Sequence, residues 1–168
     1  MFKTKVYVRL INGAQPLTIT QKGDWIDLRS NVDLYYKGIS VQDGKVVLNK
    51  ELIPLGIAVK MPKGMEGIVA PRSSTYKTYG IISWNSIGVI DNCYNGTNDE
   101  WKFGAILLQD GHISKGDRIC QFRIQLSQKA TMWQKLKWLL SGGKIEICYV
   151  DELSGTDRSG FGGGTGAR

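Results

Sequence analysis

The sequence predicts an all-β domain, a sandwich or a barrel, on three observations. Short apolar runs with period-two alternation recur along most of the chain, as where Val6, Val8 and Leu10 alternate with Tyr7 and Arg9. Turn signals such as Asn12-Gly13, Asp43-Gly44 and Pro62-Lys63-Gly64 separate those runs at close intervals. One stretch alone, 131–140, has helical spacing. The chain's 168 residues suffice for one domain with a sizeable core.

The elements follow in order. After the first strand, residues 22–29 are short and dense in charge, with Asp24 and Asp27 around Trp25-Ile26. Two such carboxylates can serve a magnesium ion, directly or through its waters, or can be ordinary loop acids. Strands are predicted over 32–35, over 45–48, over 53–59 with Pro54 near its start, and over 67–70. The last of these ends at Pro71, where Arg72, Ser73, Ser74 and Thr75 crowd together. Arg offers a planar fork to phosphate oxygens, and the hydroxyls and backbone amides add donors.

Residues 81–87 lead into Gly88-Val89-Ile90-Asp91-Asn92-Cys93-Tyr94-Asn95-Gly96, read as a strand end, a bend and a return starting at Tyr94. A hairpin of this kind sets Asp91 beside Tyr94, a carboxylate next to an aromatic platform. That pairing suits a planar base or a sugar held near an activated water; a plain surface turn is the alternative. After the polar excursion 97–100, a strand is predicted over 103–108. Residues 115–124 form a turn running into a strand. Alternation there places Arg118 on the face of Cys120, Phe122 and Ile124, and Gln121 on the face of Ile119 and Arg123.

The helix over 131–141 gathers Met132, Trp133, Leu136, Leu139 and Leu140 on one side, with Trp138 off that stripe. The expectation is that the stripe packs on the β-domain; a partner surface or a membrane contact is the alternative. The last strand is 145–150. The tail after Asp157 is so rich in Gly that ordering it is entropically costly, and it stays mobile until something holds it. It offers free amides, two Arg and the Thr165 hydroxyl to phosphates, and Phe161 to a planar base.

A net charge of +7 suits phosphate-bearing partners, yet no dense Lys/Arg run marks a nucleic-acid arm. Cys93, Cys120 and Cys148 are scattered, without CxxC, which argues against a zinc site or a disulfide framework and for free thiols in a reducing cytosol. The one histidine, His112, sits in a predicted turn and reads as structural. No signal-peptide core or membrane-spanning run occurs, so a cytoplasmic location is expected.

Five stretches in chain order resemble the motifs of the homotrimeric dUTPase family, in its phage and Firmicutes-like branch. They are Asp24-Trp25-Ile26-Asp27-Leu28; Pro71-Arg72-Ser73-Ser74; Gly88-Val89-Ile90-Asp91 with Tyr94 and Gly96; Gly116-Asp117-Arg118-Ile119-Cys120-Gln121; and Arg158 through Gly166. The resemblance implies a distorted jelly-roll over 1–153 with an inserted helix, and a tail, 154–168, that closes over an active site. It implies a trimer with active sites at subunit interfaces. It also implies magnesium-dependent hydrolysis of dUTP to dUMP and pyrophosphate, which limits uracil in DNA and supplies dUMP for dTMP synthesis. By the same resemblance Asp91 is the general base and Tyr94 stacks under the deoxyribose. Backbone groups of the Asp91–Tyr94 hairpin pair with uracil, Asn85 helps hold the base, and Gly88 and Ile90 are substrate-binding. Arg72, Ser73, Ser74, Gln121 and Arg118 serve the phosphates. Arg158 clamps the γ-phosphate, Phe161 covers the base, and Gly162 with Thr165 caps the phosphates. Asp27 is the first-motif acid, acting on magnesium through water or on site geometry.

Three departures stand out. The tail reads Phe-Gly-Gly-Gly-Thr-Gly, one residue longer than the common form; 97–101 lengthens the third-motif hairpin; and 131–143 adds a helix without a catalytic reason. A dCTP deaminase-like enzyme of the same fold, with Glu100 as its acid, and a phage regulatory protein acting by binding are the alternatives. No membrane or stable nucleic-acid binding is expected, and the 131–141 helix is a candidate surface for a protein partner.

Overall fold

A computed structural model of the chain describes residues 3–19 and 23–158. Two sheets face each other across one core. The larger runs β13 (Ile145–Tyr149), β1 (Thr4–Leu10), β6 (Asn49–Lys60), β10 (Glu100–Leu107), β8 (Ile81–Ser83). The smaller runs β2 (Ile26–Arg29), β12 (Arg118–Leu126), β7 (Met65–Pro71), β9 (Gly88–Ile90). Two small ribbons complete the fold, β3 (Leu34–Tyr36) with β11 (Gly111–Ile113) and β4 (Ser40–Gln42) with β5 (Lys45–Val47). Pairing is antiparallel except between β1 and β13. This is the mostly-β architecture expected from the alternation, in the jelly-roll-like form that the resemblance implied.

The alternation supplies the core directly. Val6 and Val8 of β1, Phe103, Ala105 and Leu107 of β10, Leu28 of β2 and Phe122 of β12 turn inward, and Tyr7 between the two valines turns out. Trp101 packs edge-on against Phe122, with ring centroids 5.3 Å apart at 85°, and ties the two sheets together.

Where alternation fails, a bulge explains it. In β6 the five residues Leu55 to Val59 are all buried, and the pairing with β10 slips between Glu100 and Lys102. Gly56 sits there at φ +68°, and its N–H donates to Glu100 Oε1 (3.0 Å). Pro54 is therefore inside a twelve-residue strand rather than near the start of a short one. A second slip falls between Arg118 and Cys120, so Ile119 and Cys120 are both buried and Arg118 turns outward. This overturns the placement of Arg118 on the apolar face of β12.

The inserted helix also departs from expectation. α2 (Met132–Leu140) starts with a capping box, with Thr131 and Gln134 exchanging bonds. Its apolar stripe, however, faces away from the domain: Met132, Trp133, Leu139 and Leu140 are 67–79% exposed. Trp138 and Gln134 are the half-buried residues, and Trp138 packs against the core. A single aromatic on the back of the helix thus outweighs a longer apolar stripe. A short helix that was not foreseen, α1 (Thr75–Tyr79), follows the Arg72-Ser73-Ser74 turn.

Candidate active site

One end of the smaller sheet is an ion-paired cluster. Asp27 on β2 takes Arg72 Nε on Oδ1 (2.7 Å) and Arg118 Nη1 on Oδ2 (3.2 Å). Register explains the meeting: Asp27 pairs with Gln121, and Cys120 pairs with Pro71, so the second motif and the fourth end side by side. Gln121 Nε2 donates to the Pro71 carbonyl (3.2 Å). Thr75, wholly buried, accepts from Arg72 N–H (2.8 Å) and donates to the Ile119 carbonyl (2.8 Å), which locks the turn onto β12. Ser73 is exposed, and Ser74 Oγ lies 3.4 Å from Arg72 Nη1. Two residues that sequence reading missed belong here. Tyr79 lies close to Arg72 and Arg118 and hydrogen-bonds Asp117; burial first, then Asp117, pushes its phenol pKa up. Asp117 Oδ2 also accepts Ser114 N–H (2.9 Å). The hints in the sequence were the polar Arg72-Ser73-Ser74 turn just before α1, and the place of Asp117 beside Arg118 in the fourth motif.

The other end carries Asp91. The carboxylate is exposed, and the Asp91 carbonyl accepts Tyr94 N–H (3.0 Å), closing the predicted bend. The bend does not make a hairpin. β9 before it pairs with β7, whereas the chain after it enters β10 in the larger sheet. Tyr94 is half-buried against the core, and its hydroxyl donates to the Glu100 carbonyl (3.0 Å). Burial, then Asp99 and Glu100, holds its pKa up at about 12. Asn92 Nδ2 ties the bend to the Met61 and Pro62 carbonyls (3.2 and 2.7 Å). Asn85 is exposed after β8, and Gly88 opposite Val69 begins β9. Glu100, the acid that would have served a deaminase, is engaged on Gly56 N–H.

The polar excursion 97–100 has a structural task. Thr97 Oγ1 exchanges bonds with the Leu153 backbone (3.0 and 2.9 Å). Buried Asp99 accepts Gly96 N–H (2.8 Å) on one oxygen and Arg158 N–H (2.7 Å) on the other. Asp157 holds Asn98 through its amide N–H and its side chain (2.8 and 2.7 Å). The segment leading to the tail is thereby strapped beside the Asp91 bend, and Arg158 Nη1 reaches Cys93 Sγ (2.9 Å). Phe161, Gly162 and Thr165 lie outside the described residues.

Along β7 the two ends are far apart. Ile90 pairs with Gly67, so Asp91 stands level with Glu66, whereas Arg72 follows Pro71 at the opposite end. From Glu66 to Arg72 the strand rises roughly 20 Å, at ~3.3 Å per residue. Asp91 and the Arg72–Asp27–Arg118 cluster of one chain therefore cannot grip one small substrate. As for a metal, no three His, Cys, Asp or Glu side chains converge among the described residues, and both Asp27 oxygens already face guanidinium groups. These residues do not form a metal cage. His112, exposed, stacks on Tyr35 at 4.0 Å, and all three cysteines are free thiols. Among the described residues no helix is long and apolar enough to cross a membrane.

Residues 39–136 match the dUTPase family model. A deoxyuridine 5'-triphosphate nucleotidohydrolase derived from the SPbeta prophage of Bacillus subtilis is 43% identical over 142 residues, covering 84% of each chain. The chain belongs to the dUTPase family. The matched span holds Arg72, Asp91, Tyr94, Arg118 and Gln121; Asp27 and the tail lie beyond it. Another dUTP nucleotidohydrolase, from Finegoldia magna, is 35% identical over 119 residues, covering 68% of this chain and 71% of that one. The fold is that of solved dUTPases. The Streptococcus mutans enzyme superposes with a TM-score of 0.59 at 19% identity, over 74% of this chain and 98% of that one. A mutant dUTPase from phage phi11 of S. aureus, described as coordinating a structural Mg(II) ion, superposes at 0.58 with 18% identity, over 76% and 94%. The chain thus has a dUTPase fold over about three quarters of its length.

Proposed function

We propose that the chain hydrolyses dUTP to dUMP and pyrophosphate in sites shared between copies of itself, as a homotrimer. The carrying observation is the roughly 20 Å that separates Asp91 from Arg72 in a protein of the dUTPase family. A second copy that sets its Asp91 bend against the Arg72–Asp27–Arg118 end resolves that separation. One chain then supplies base and sugar recognition, and its neighbour supplies the phosphate grip.

In this reading the exposed Asp91 carboxylate takes a proton from a water that attacks the α-phosphorus in line. The bond from the α-phosphorus to the bridging oxygen breaks, and pyrophosphate leaves. The Tyr94 ring, fixed by its bond to the Glu100 carbonyl, forms a wall under the deoxyribose, where a 2′-hydroxyl finds no room. Backbone groups at Gly88 and Ile90, with Asn85, face the uracil edge. Arg72, Arg118 and Gln121, with Ser73 and Ser74, meet the phosphates and offset the charge that gathers on the leaving group. Asp27 acts as a positioning residue, because it fixes both guanidinium groups. Arg158, held at the bend through Asp99, starts the tail that brings Phe161, Gly162 and Thr165 over the substrate. Magnesium, when bound, would supply charge neutralisation on the triphosphate; the described residues build no cage for it. A cytoplasmic location fits this chemistry.

Pyrophosphate release from dUTP, dCTP, dTTP and UTP with magnesium, for wild type and Asp91→Asn, tests the reading. Turnover of dUTP alone, lost in the variant, is expected. Turnover of dTTP or UTP at comparable rates overturns the uracil and sugar assignments, and an active Asp91→Asn overturns the base.

A further inference from the structure

A cavity of about 680 Å³ opens between the start of β1, the turn joining β6 to β7, and α2. Its size falls within the range of small-molecule sites, roughly 300–1,000 Å³. Asn92 and Asn95 of the Asp91 bend line it, so it adjoins that end of the site, but Asp91, Tyr94, Arg72 and Gln121 do not line it. Its charge is one-sided. Lys3, Lys5, Lys60, Lys63 and Lys137 line it, and no Asp or Glu does. Lys3, Lys5, Lys60 and Lys63 take part in none of the ion pairs among the described residues; Lys60 donates instead to Ser154 Oγ (2.5 Å). Like charges gathered around a hollow repel one another, and a bound anion relieves that repulsion.

The remaining walls are not cationic. Met61 and Pro62 give an apolar floor, and Trp138 gives a flat wall. Trp138 is the residue whose inward turn was unexpected, and it brings Lys137 and Gln134 to the same cavity. The inserted helix, idle in the reaction, thus closes one side of this space. Ser154 and Thr156 add hydroxyls at the rim, from the strap that leads to the tail.

We propose that this cavity binds a nucleoside phosphate, with its phosphates among the lysines and its base against Trp138. Polyphosphate charge suits the lysine ring, a planar ring suits the indole, and the volume admits both together.

Calorimetric titration of the full-length protein with ATP and with inorganic tripolyphosphate tests this. Saturable ATP binding is expected, weakening as salt is raised. The double variant Lys63→Ala/Lys137→Ala should bind ATP about tenfold more weakly or worse, through loss of two charge-assisted contacts. Its turnover of dUTP should be unchanged. Trp138→Leu should weaken ATP more than tripolyphosphate, and Arg72→Ala should leave ATP binding intact. Absence of saturable binding overturns the proposal. So does ATP binding that is lost in Arg72→Ala and kept in the lysine variant, because the ligand then sits in the active site. Tighter binding of a single-stranded oligonucleotide through the same lysines overturns it too, in favour of a nucleic-acid contact. Should Trp138→Leu fail to fold, the lysine variant decides alone, since its changes lie at the cavity surface.

Discussion

The two ends of the smaller sheet follow opposite plans. At the Arg72 end every charged group is matched inside the chain: one carboxylate, Asp27, holds two guanidinium groups, and Thr75 pins the turn that carries them. At the Asp91 end the carboxylate proposed as the base is left exposed, while its neighbours are tied down by the Tyr94 hydroxyl, the Asn92 amide and the Asp99 strap. The first end is built to hold charge and the second to present it. Because β7 keeps the two roughly 20 Å apart, one chain cannot bring both to a single small substrate, and the proposed site needs a second copy.

The largest expected effect breaks this comparison directly. Asp91→Asn and Arg72→Ala should each lower kcat by about 10²–10⁴-fold with folding intact. Co-expressed in equal amounts they should complement. If each site draws Asp91 from one chain and Arg72 from another, about a quarter of the mixed sites are wild type at both positions. Recovery of dUTP turnover in the mixture, measured by pyrophosphate release, is the expected result. If each chain builds its own site, no recovery occurs and the shared-site reading is lost.

A smaller effect sharpens what Asp27 does. Asp27→Ala leaves Arg72 and Arg118 adjacent without a counter-charge. The pair to Arg72 is about a quarter exposed and the pair to Arg118 about half exposed. After discounting for solvent screening, a loss of ~1–2 kcal/mol in unfolding free energy is expected. A decrease of roughly tenfold in kcat/KM should accompany it. The dependence of rate on magnesium concentration should be unchanged, since Asp27 acts on the guanidinium groups. A shift of that dependence to higher magnesium would return Asp27 to the metal.

The strands and the polar clusters were legible in the sequence because each rests on local pattern. Val6 and Val8 alternate with exposed neighbours as written, and Arg72, Asp91 and Tyr94 stand in short motifs whose chemistry is visible residue by residue. What stayed hidden depends on register and on competition between surfaces. No local signal marks the slip after Arg118, because a bulge is decided by what β2 and β7 offer on either side. Residues 88–96 read equally well as a hairpin or as a crossing between sheets; the pairing of β9 with β7 decides it. The face of α2 was misjudged because the apolar stripe outnumbers Trp138, whereas the domain offers a place for one indole only.

The strap comes next in size. Asp99 is buried, and both its oxygens accept backbone N–H groups. Asp99→Ala strands Gly96 N–H in a buried place, at a cost of ~1–3 kcal/mol. It also releases Arg158 from the bend. Protease cleavage after Leu153 should speed up, and KM for dUTP should rise more than kcat falls. A variant that loses stability without faster cleavage there would show that the strap is held by other contacts.

The smallest effect concerns acid. Asp157 is fully exposed, and its pKa lies below the ordinary 3.8 because Asn98 donates to it from backbone and side chain. A carboxyl group whose folded pKa is depressed contributes stability above its unfolded pKa, and that contribution is lost as pH falls through the folded value. The Asn98–Asp157 contact is therefore intact at neutral pH and opens only below about pH 4. Amide exchange at Asn98, corrected for intrinsic rate, should stay slow down to that range and then accelerate, while Asp157→Asn flattens the profile. Acid then opens the outer contact of the strap, the one between Asn98 and Asp157, at the exposed side of the segment.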